Sequence, residues 1–190
     1  HSGLISNITM IFFLGLGINS YYESIETDST ASNQQKKLKG NYFDNFVSLT
    51  FDFDKRNQKF QTSQGFRNYF KTDIPLISET NTLANTFITT NYFEFLNNNV
   101  LKSSFYFKNS NSLTGDNIKL SERLYLPSNR LRGFESGKVG PKDGDDFIGG
   151  NYISSINFSS DIPKLFENSQ TTDFKMFLDI ANVWGVDYDS

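Results

Sequence analysis

Apolar and polar residues alternate along much of this chain with a period of two, the mark of β-strands whose faces meet different surroundings. Across residues 46–54, Val47, Leu49, Phe51 and Phe53 alternate with Ser48, Thr50, Asp52 and Asp54, so one face is apolar and the other acidic. Across 174–183, Phe174, Met176, Leu178 and Ile180 alternate with Lys175, Phe177, Asp179 and Ala181. Between 101 and 108, Leu101, Phe105 and Phe107 oppose Lys102, Ser104, Tyr106 and Lys108. Weaker alternation over 8–22, 66–74, 83–95 and 152–162 brings the expected strands to about seven, and helical periodicity is scarce.

Strands of roughly 9 to 11 residues suffice to cross a bilayer when tilted, and these segments have that length. The connections at 23–40, 57–65, 76–82, 97–99, 109–150 and 164–173 alternate in length, as periplasmic turns and extracellular loops of an outer-membrane barrel do. Tyr21 and Tyr22 close the first strand, Tyr42 and Phe43 open the second, and Phe93 and Phe95 lie near the other end of the fourth. These positions fit aromatic girdles at two membrane interfaces. A soluble β-sandwich with one buried face per sheet shows the same alternation, and periodicity alone favours neither architecture.

Composition narrows the chemistry. The 190 residues suit one domain, and 20 Phe, 9 Tyr and 1 Trp concentrate the apolar material in rings. There is no cysteine, which excludes disulfides and thiolate metal sites, and the one histidine is residue 1, which removes histidine triads and most zinc chemistry. A net charge of -3, from 18 Lys and Arg against 21 Asp and Glu, supplies no clustered basic surface for nucleic acid. The longest apolar run, residues 10–18, is far short of the roughly 20 residues of a membrane helix. No basic region precedes it and no small-residue cleavage site follows it, against a signal peptide. The start at His1 and the loop-like composition of 186–190 suggest a fragment.

The informative segment is 124–150, LYLPSNRLRGFESGKVGPKDGDDFIGG. Five of the 13 glycines fall between Gly133 and Gly149, with Gly150 directly after, which points to close backbone approach and positive φ. Leu131, Phe134, Val139 and Phe147 give this long connection apolar anchors that disorder would not need. Gly133 to Lys138 fails as a phosphate loop, having one residue too few between glycines and no following helix. Asp143, Asp145 and Asp146 lack the spacing of a calcium loop and read as a solvated tip. Asp52 and Asp54, about 7 Å apart by strand rise, have a separation compatible with acid catalysis, but a polar lumen explains them more simply.

The segment resembles the family of BamA-type outer-membrane β-barrel assembly factors, the bacterial surface antigen family. The family's (V/I/L)RG(F/Y) motif reads Leu131-Arg132-Gly133-Phe134, its GP reads Gly140-Pro141, and its GGN reads Gly149-Gly150-Asn151. A later (F/W)-D-x-x-x-V-W element is similar to the stretch from Leu178-Asp179 to Val183-Trp184, with leucine before the aspartate. Asp54-Lys55-Arg56-Asn57 through Thr62-Ser63-Gln64-Gly65 is similar to the D-x-R-N…P-T-x-G turn, with Gln61 where proline is usual.

The resemblance implies an all-β fold: a transmembrane antiparallel β-barrel, represented by an incomplete curved sheet of about seven strands with one inward-folded loop. Residues 1–190 would be a partial barrel domain, the middle and later strands, with the POTRA domains and final strands absent. It implies a non-enzymatic central subunit of the machinery that folds and inserts barrel proteins in the bacterial outer membrane. No cofactor or metal is implied. Implied partners are outer-membrane lipid, unfolded β-barrel clients and accessory assembly lipoproteins. A TamA or two-partner secretion transporter barrel, or an unrelated porin or receptor barrel, are the alternatives.

The resemblance also carries Arg132 onto Asp179 of the inner wall, and alternation independently turns Asp179 away from the lipid-facing row. Gly133 would let the loop approach the wall, and Phe134 would wedge it there. A second family carboxylate falls at Ser159, so Arg132 is left to find Asp52, Asp54 or Asp161, or water; a solvated Arg132 beside Glu135 is the bland alternative.

Overall fold

The computed structural model of the chain describes residues 10–95, 99–162 and 174–187. Five long strands come first: β1 (Ile11–Ile25), β2 (Gly40–Asp54), β3 (Gly65–Ile77), β4 (Thr82–Phe95) and β5 (Asn99–Ser112). A small hairpin of β6 (Lys142–Asp143) and β7 (Asp146–Phe147) lies inside the next connection, followed by β8 (Tyr152–Ile162) and β9 (Phe174–Trp184). The seven long strands form one curved antiparallel sheet in chain order, β1-β2-β3-β4-β5-β8-β9. Among the described residues no helix is long and apolar enough to cross a membrane, which leaves strands as the spanning element to consider.

Register explains why the sheet has two unlike faces. Directly paired residues of neighbouring strands share a face, and the pairs Phe51 with Phe70, Phe87 with Phe107, Phe105 with Ile156, and Ile156 with Ile180 put the apolar rows in phase. Cross-strand ring contacts tie these rows together: Phe51 to Phe70, Phe53 to Phe66, and Phe87 to Phe105, with centroids 6.2, 5.6 and 6.3 Å apart. The row continues over Phe12, Leu14, Leu16 and Ile18 of β1 and Met176, Leu178 and Ile180 of β9, all exposed. Among the described residues no second sheet covers this face, so the sandwich alternative fails. Its extent is that of a surface covered by an apolar environment.

The opposite face is ionic: Asp52 holds Arg67 at 2.6 Å, Asp54 holds Arg56 at 2.7 Å, and Lys71 meets Asp73 at 2.8 Å. These pairs also settle Asp52 and Asp54, which serve arginines of their own and are not available to Arg132. The small core lies on this inner face, where Leu124 and Leu126 of the long connection pack on Tyr106, Ile153 and Val183 of β5, β8 and β9.

Several expectations need correction. β3 runs through Pro75 to Ile77 rather than ending at 74, whereas β2 begins at Gly40, in keeping with the 23–40 connection and the opening Tyr42 and Phe43. Proline cannot donate to the ladder, and a register shift at Asn45/Phe46 absorbs it. Of the expected girdle, Tyr22 and Phe43 pair on the outer face, but Tyr42 covers the Lys119 ammonium and Tyr21 packs on Phe46. Connection lengths do not alternate cleanly, because the turn at 78–81 is short yet lies at the same end as the long connection at 113–151. A short helix, α1 (Asn33–Lys37), interrupts the first connection, started by a reciprocal capping box between Ser32 and Gln35. The expected strand start at Ile8, the residues Asn97 and Asn98, and the 164–173 connection lie outside the described residues.

Candidate functional site

The connection from β5 to β8 folds back over the ionic face and is fixed at several points. Its chain is irregular, with single 3-10 turns at Leu120–Glu122 and Ser128–Arg130. An antiparallel bridge between Leu124 and Gly150 closes its base, with mutual backbone hydrogen bonds of 2.8 and 3.0 Å. Ile118 and Ile148 are fully buried beside this neck.

At the tip, Arg132 meets Asp179. Arg132 Nε donates to Asp179 Oδ2 at 2.7 Å, Nη2 donates to Oδ1 at 2.7 Å, and the Arg132 backbone N–H adds a third bond to Oδ2 at 3.0 Å. The two side-chain bonds are the parallel fork that guanidinium and carboxylate geometry favour. Asp179 is 3% exposed as a side chain while Arg132 is 34% exposed, so the carboxylate is the buried member. The bonds to Asp179 raise the pKa of Arg132 against a smaller opposing effect of burial, so its charge is fixed. The guanidinium also lies 3.9 Å from the centre of the Phe177 ring.

No second carboxylate joins this pair among the described residues. The place across the ladder from Asp179 is taken by Asn157, whose Nδ2 donates to Asp179 Oδ1 and to the Arg130 carbonyl, both at 2.8 Å. Ser159 pairs with Phe177 instead. The side chain of Asp161 lies outside what the structure describes. Arg130 donates to Ser104 Oγ at 3.2 Å and stacks over Tyr106 at 4.5 Å; burial lowers its pKa and Tyr106 partly offsets this. The solvated reading of Arg132 beside Glu135 therefore gives way to an inner-wall contact.

The neighbouring motif residues take different roles from those expected. Gly133 sits at φ +86°, but a methyl built there meets nothing within 4 Å, so it serves the turn's backbone rather than close approach. Phe134 is 62% exposed and does not wedge against this wall. The close approaches are at Gly140, which backs onto Val183, at Gly149 against the Leu124 carbonyl, and at Gly150, where a Cβ would lie 2.6 Å from the Trp184 carbonyl oxygen. Pro141 supplies the carbonyl for Ile148 N–H at 3.1 Å. Of the expected apolar anchors, Leu131 and Val139 pack on the core, whereas Phe147 lies under the ammonium groups of Lys138 and Lys142. Asp143 and Asp146 pair across the β6–β7 hairpin, and no metal-binding group forms among the described residues.

Two clusters escaped the sequence reading. Arg123, nearly buried, reaches Asp187 at 3.0 Å and Asn151 Oδ1 at 3.4 Å, while Asn151 Nδ2 also donates to Asp187. Asp187 thus fastens the base of the connection, although its segment looked like plain loop. The second cluster is Lys119 on Asp44, at 4% and 1% side-chain exposure, with Glu122 and Glu23 at 3.6 and 3.8 Å. Neither pairing has a local signature, since its members lie 64 and 75 positions apart.

The 54–65 turn also departs from the family's pattern in one respect. Asn57 Oδ1 accepts backbone N–H groups from Gln58, Ser63 and Gln64, and Asp54 holds Arg56, so the turn is closed by side chains. Gln61 adopts φ +49°, which a proline ring cannot reach.

A sheet in chain order, apolar on one face and ionic on the other, with a connection clasped to the ionic side, defines a segment of transmembrane β-barrel wall. The chain belongs to the Omp85 superfamily, whose domain matches residues 3–190. Among solved structures, it is similar to BamA from Haemophilus ducreyi lacking POTRA domains 1-3, with a TM-score of 0.73 and 18% sequence identity. That match covers 93% of this chain and 39% of the BamA chain, so this chain spans well under half of that relative's length. The likeness establishes the fold, that of a BamA-type barrel wall. No curated protein sequence matches the chain.

Proposed function

We propose that this chain forms part of the wall and the inward loop of a bacterial outer-membrane protein that folds and inserts other β-barrel proteins, as a non-enzymatic central subunit. The observation that carries this reading is the bidentate Arg132–Asp179 clasp on the ionic face, with an uncovered apolar face behind it. A polar lumen and a lipid-facing row are what a spanning barrel requires. The clasp gives the loop a fixed place in that lumen, and Gly140, Pro141, Gly149 and Gly150 shape its return to the wall. In this reading the partners are outer-membrane lipid, unfolded barrel clients and accessory lipoproteins, and no cofactor takes part.

The test is reconstitution of the full-length protein in liposomes with an unfolded barrel client. Arg132→Ala should slow client insertion while leaving the amount of folded, heat-modifiable barrel unchanged. Insertion at the parent rate, with the loop still protease-resistant, would overturn the assignment of Arg132. A TamA or secretion-transporter relative would be told apart by the number of POTRA domains in the full-length protein.

A further inference from the structure

The long connection touches both flanks of the sheet, and it is held differently on each. On the β5, β8 and β9 side it is rooted by packing, with Leu124 and Leu126 against Tyr106, Ile153 and Val183, and by Arg123, Arg130 and Arg132. On the β1 to β4 side the attachment is polar. Lys119 donates to Asp44 of β2, and Asp44 is further bound by Ser78 Oγ at 2.6 Å and the Glu79 backbone N–H at 3.3 Å. Glu122 Oε2 accepts from Thr80 and Thr82 at 3.0 and 2.6 Å, and Ser121 donates to Glu23 of β1 at 2.6 Å. A cavity of about 460 Å³ opens beside this cluster, bounded by Asp44, Phe46, Lys108 and Lys119.

We propose that the connection is a chord across the arc of the sheet, and that Lys119 is the positioning residue that ties its β1 to β4 side to β2. Among the described strands, β2 reaches β9 by way of β3, β4, β5 and β8. Each of those steps is about 4.8 Å of sheet whose twist and coil can vary. Through the loop, β2 is joined to the β5, β8 and β9 root by one buried ion. Separating a buried lysine from a buried aspartate is costly, because Asp44 would keep only the neutral donors Ser78 and Glu79 and Lys119 only its more distant contacts with Glu122 and Glu23. The chord therefore has a definite length, and it holds the curvature of the wall at the loop end. The inference concerns the shape of the wall and stands whether or not the barrel inserts clients.

The experiment is a spin-label distance measurement on the full-length protein in detergent and in liposomes. Labels are placed on the outer face at Phe43→Cys of β2 and Ile180→Cys of β9, both exposed and away from the inner-face contacts. The parent should give one narrow distance distribution. Lys119→Met combined with Asp44→Asn, which removes the lysine and its direct partner together while Glu122 keeps its hydrogen bonds from Thr80 and Thr82, should broaden it and move its mean outward by about one strand spacing, ~5 Å. Lys119→Arg keeps the charge, has the adjoining cavity for its extra bulk, and should restore the narrow distribution. An unchanged distribution in the double variant, or equal broadening in Lys119→Arg, would overturn the proposal. Arg132→Ala separates this claim from the functional one: it should leave the distance unchanged, because the packed root and the Arg123–Asp187 contact remain, and broadening there would show that the tip governs the chord.

Discussion

Replacing Asp179 by asparagine tests the clasp at its buried member. Asp179 accepts four hydrogen bonds, three from Arg132 and one from Asn157. Asparagine keeps the volume and one acceptor oxygen. It loses the charge and can turn an NH2 group toward the Arg132 donors. Breaking a buried pair costs ~3 to 5 kcal/mol. Arg132 is 34% exposed and regains water when released, which reduces the cost to about 2 to 3 kcal/mol. At ~1.4 kcal/mol per factor of ten, the opening equilibrium of the loop tip should rise roughly 30- to 150-fold. Amide exchange over residues 128–134 of the full-length protein reads that equilibrium directly when reclosing is fast. The base of the loop at 118–124, held by Lys119 and Arg123, should exchange as in the parent. A change at the tip below about threefold, the size expected of an exposed pair, would refute the reasoning.

Gly150→Ala should lower thermal stability by about 1 to 3 kcal/mol, because the added methyl meets the Trp184 carbonyl oxygen at 2.6 Å and Val183 at 2.9 Å. The check is the temperature at which the barrel loses its heat-modifiable mobility, and an unshifted transition would contradict the close approach. Lys119 carries a pH prediction. Burial opposes its charge, but the hydrogen bond to Asp44 and the attraction of Glu122, Asp44 and Glu23 outweigh it and raise its pKa. Its contribution is therefore complete below the ordinary lysine range and lost only as pH rises past the raised value. The β2 to β9 spin-label distance should stay constant through the ordinary lysine range and widen above it, and widening already near neutrality would contradict this.

How much of this was legible in the sequence depends on whether a feature is periodic or paired. All seven long strands show in the alternation, and the bounds of β8 are the same in both. An antiparallel strand whose two faces meet different surroundings alternates with a period of two, and that signal was clear in three of the strands and weaker in the other four. The alternation failed where a local irregularity interrupts it. Pro75 hid the end of β3, and the clean alternation of β2 starts only beyond the register shift opposite it, at Asn45/Phe46. The aromatic positions were read by their place along the strand without their face, which is why Tyr21 and Tyr42 were put in a girdle they do not join. The helix α1 went unread, because its five residues are too few to carry a helical period.

For the site, the motif residues marked the right connection, and the structure brings Arg132 and Asp179 together. The motif did not tell which neighbours would be buried. Phe134 has the chemistry of an anchor and is exposed, whereas Leu124, Leu126 and Ile118 look unremarkable and are buried. The Lys119–Asp44 and Arg123–Asp187 pairs could not be read at all. Each joins a polar loop residue to a distant acid, and only the fold says which of the chain's 21 acidic residues it meets.

The central claim is that one face of the sheet meets lipid while the other meets a water-filled lumen holding the loop. The most direct measurement is an accessibility scan along β9 with single spin labels in the full-length protein in liposomes. Labels at Met176, Leu178 and Ile180 should be relaxed strongly by oxygen dissolved in the bilayer and weakly by a water-soluble nickel complex, with labels at Lys175, Phe177 and Ala181 showing the reverse. Uniform aqueous accessibility along the strand, or lipid exposure of the Phe177 and Ala181 positions, would contradict the account.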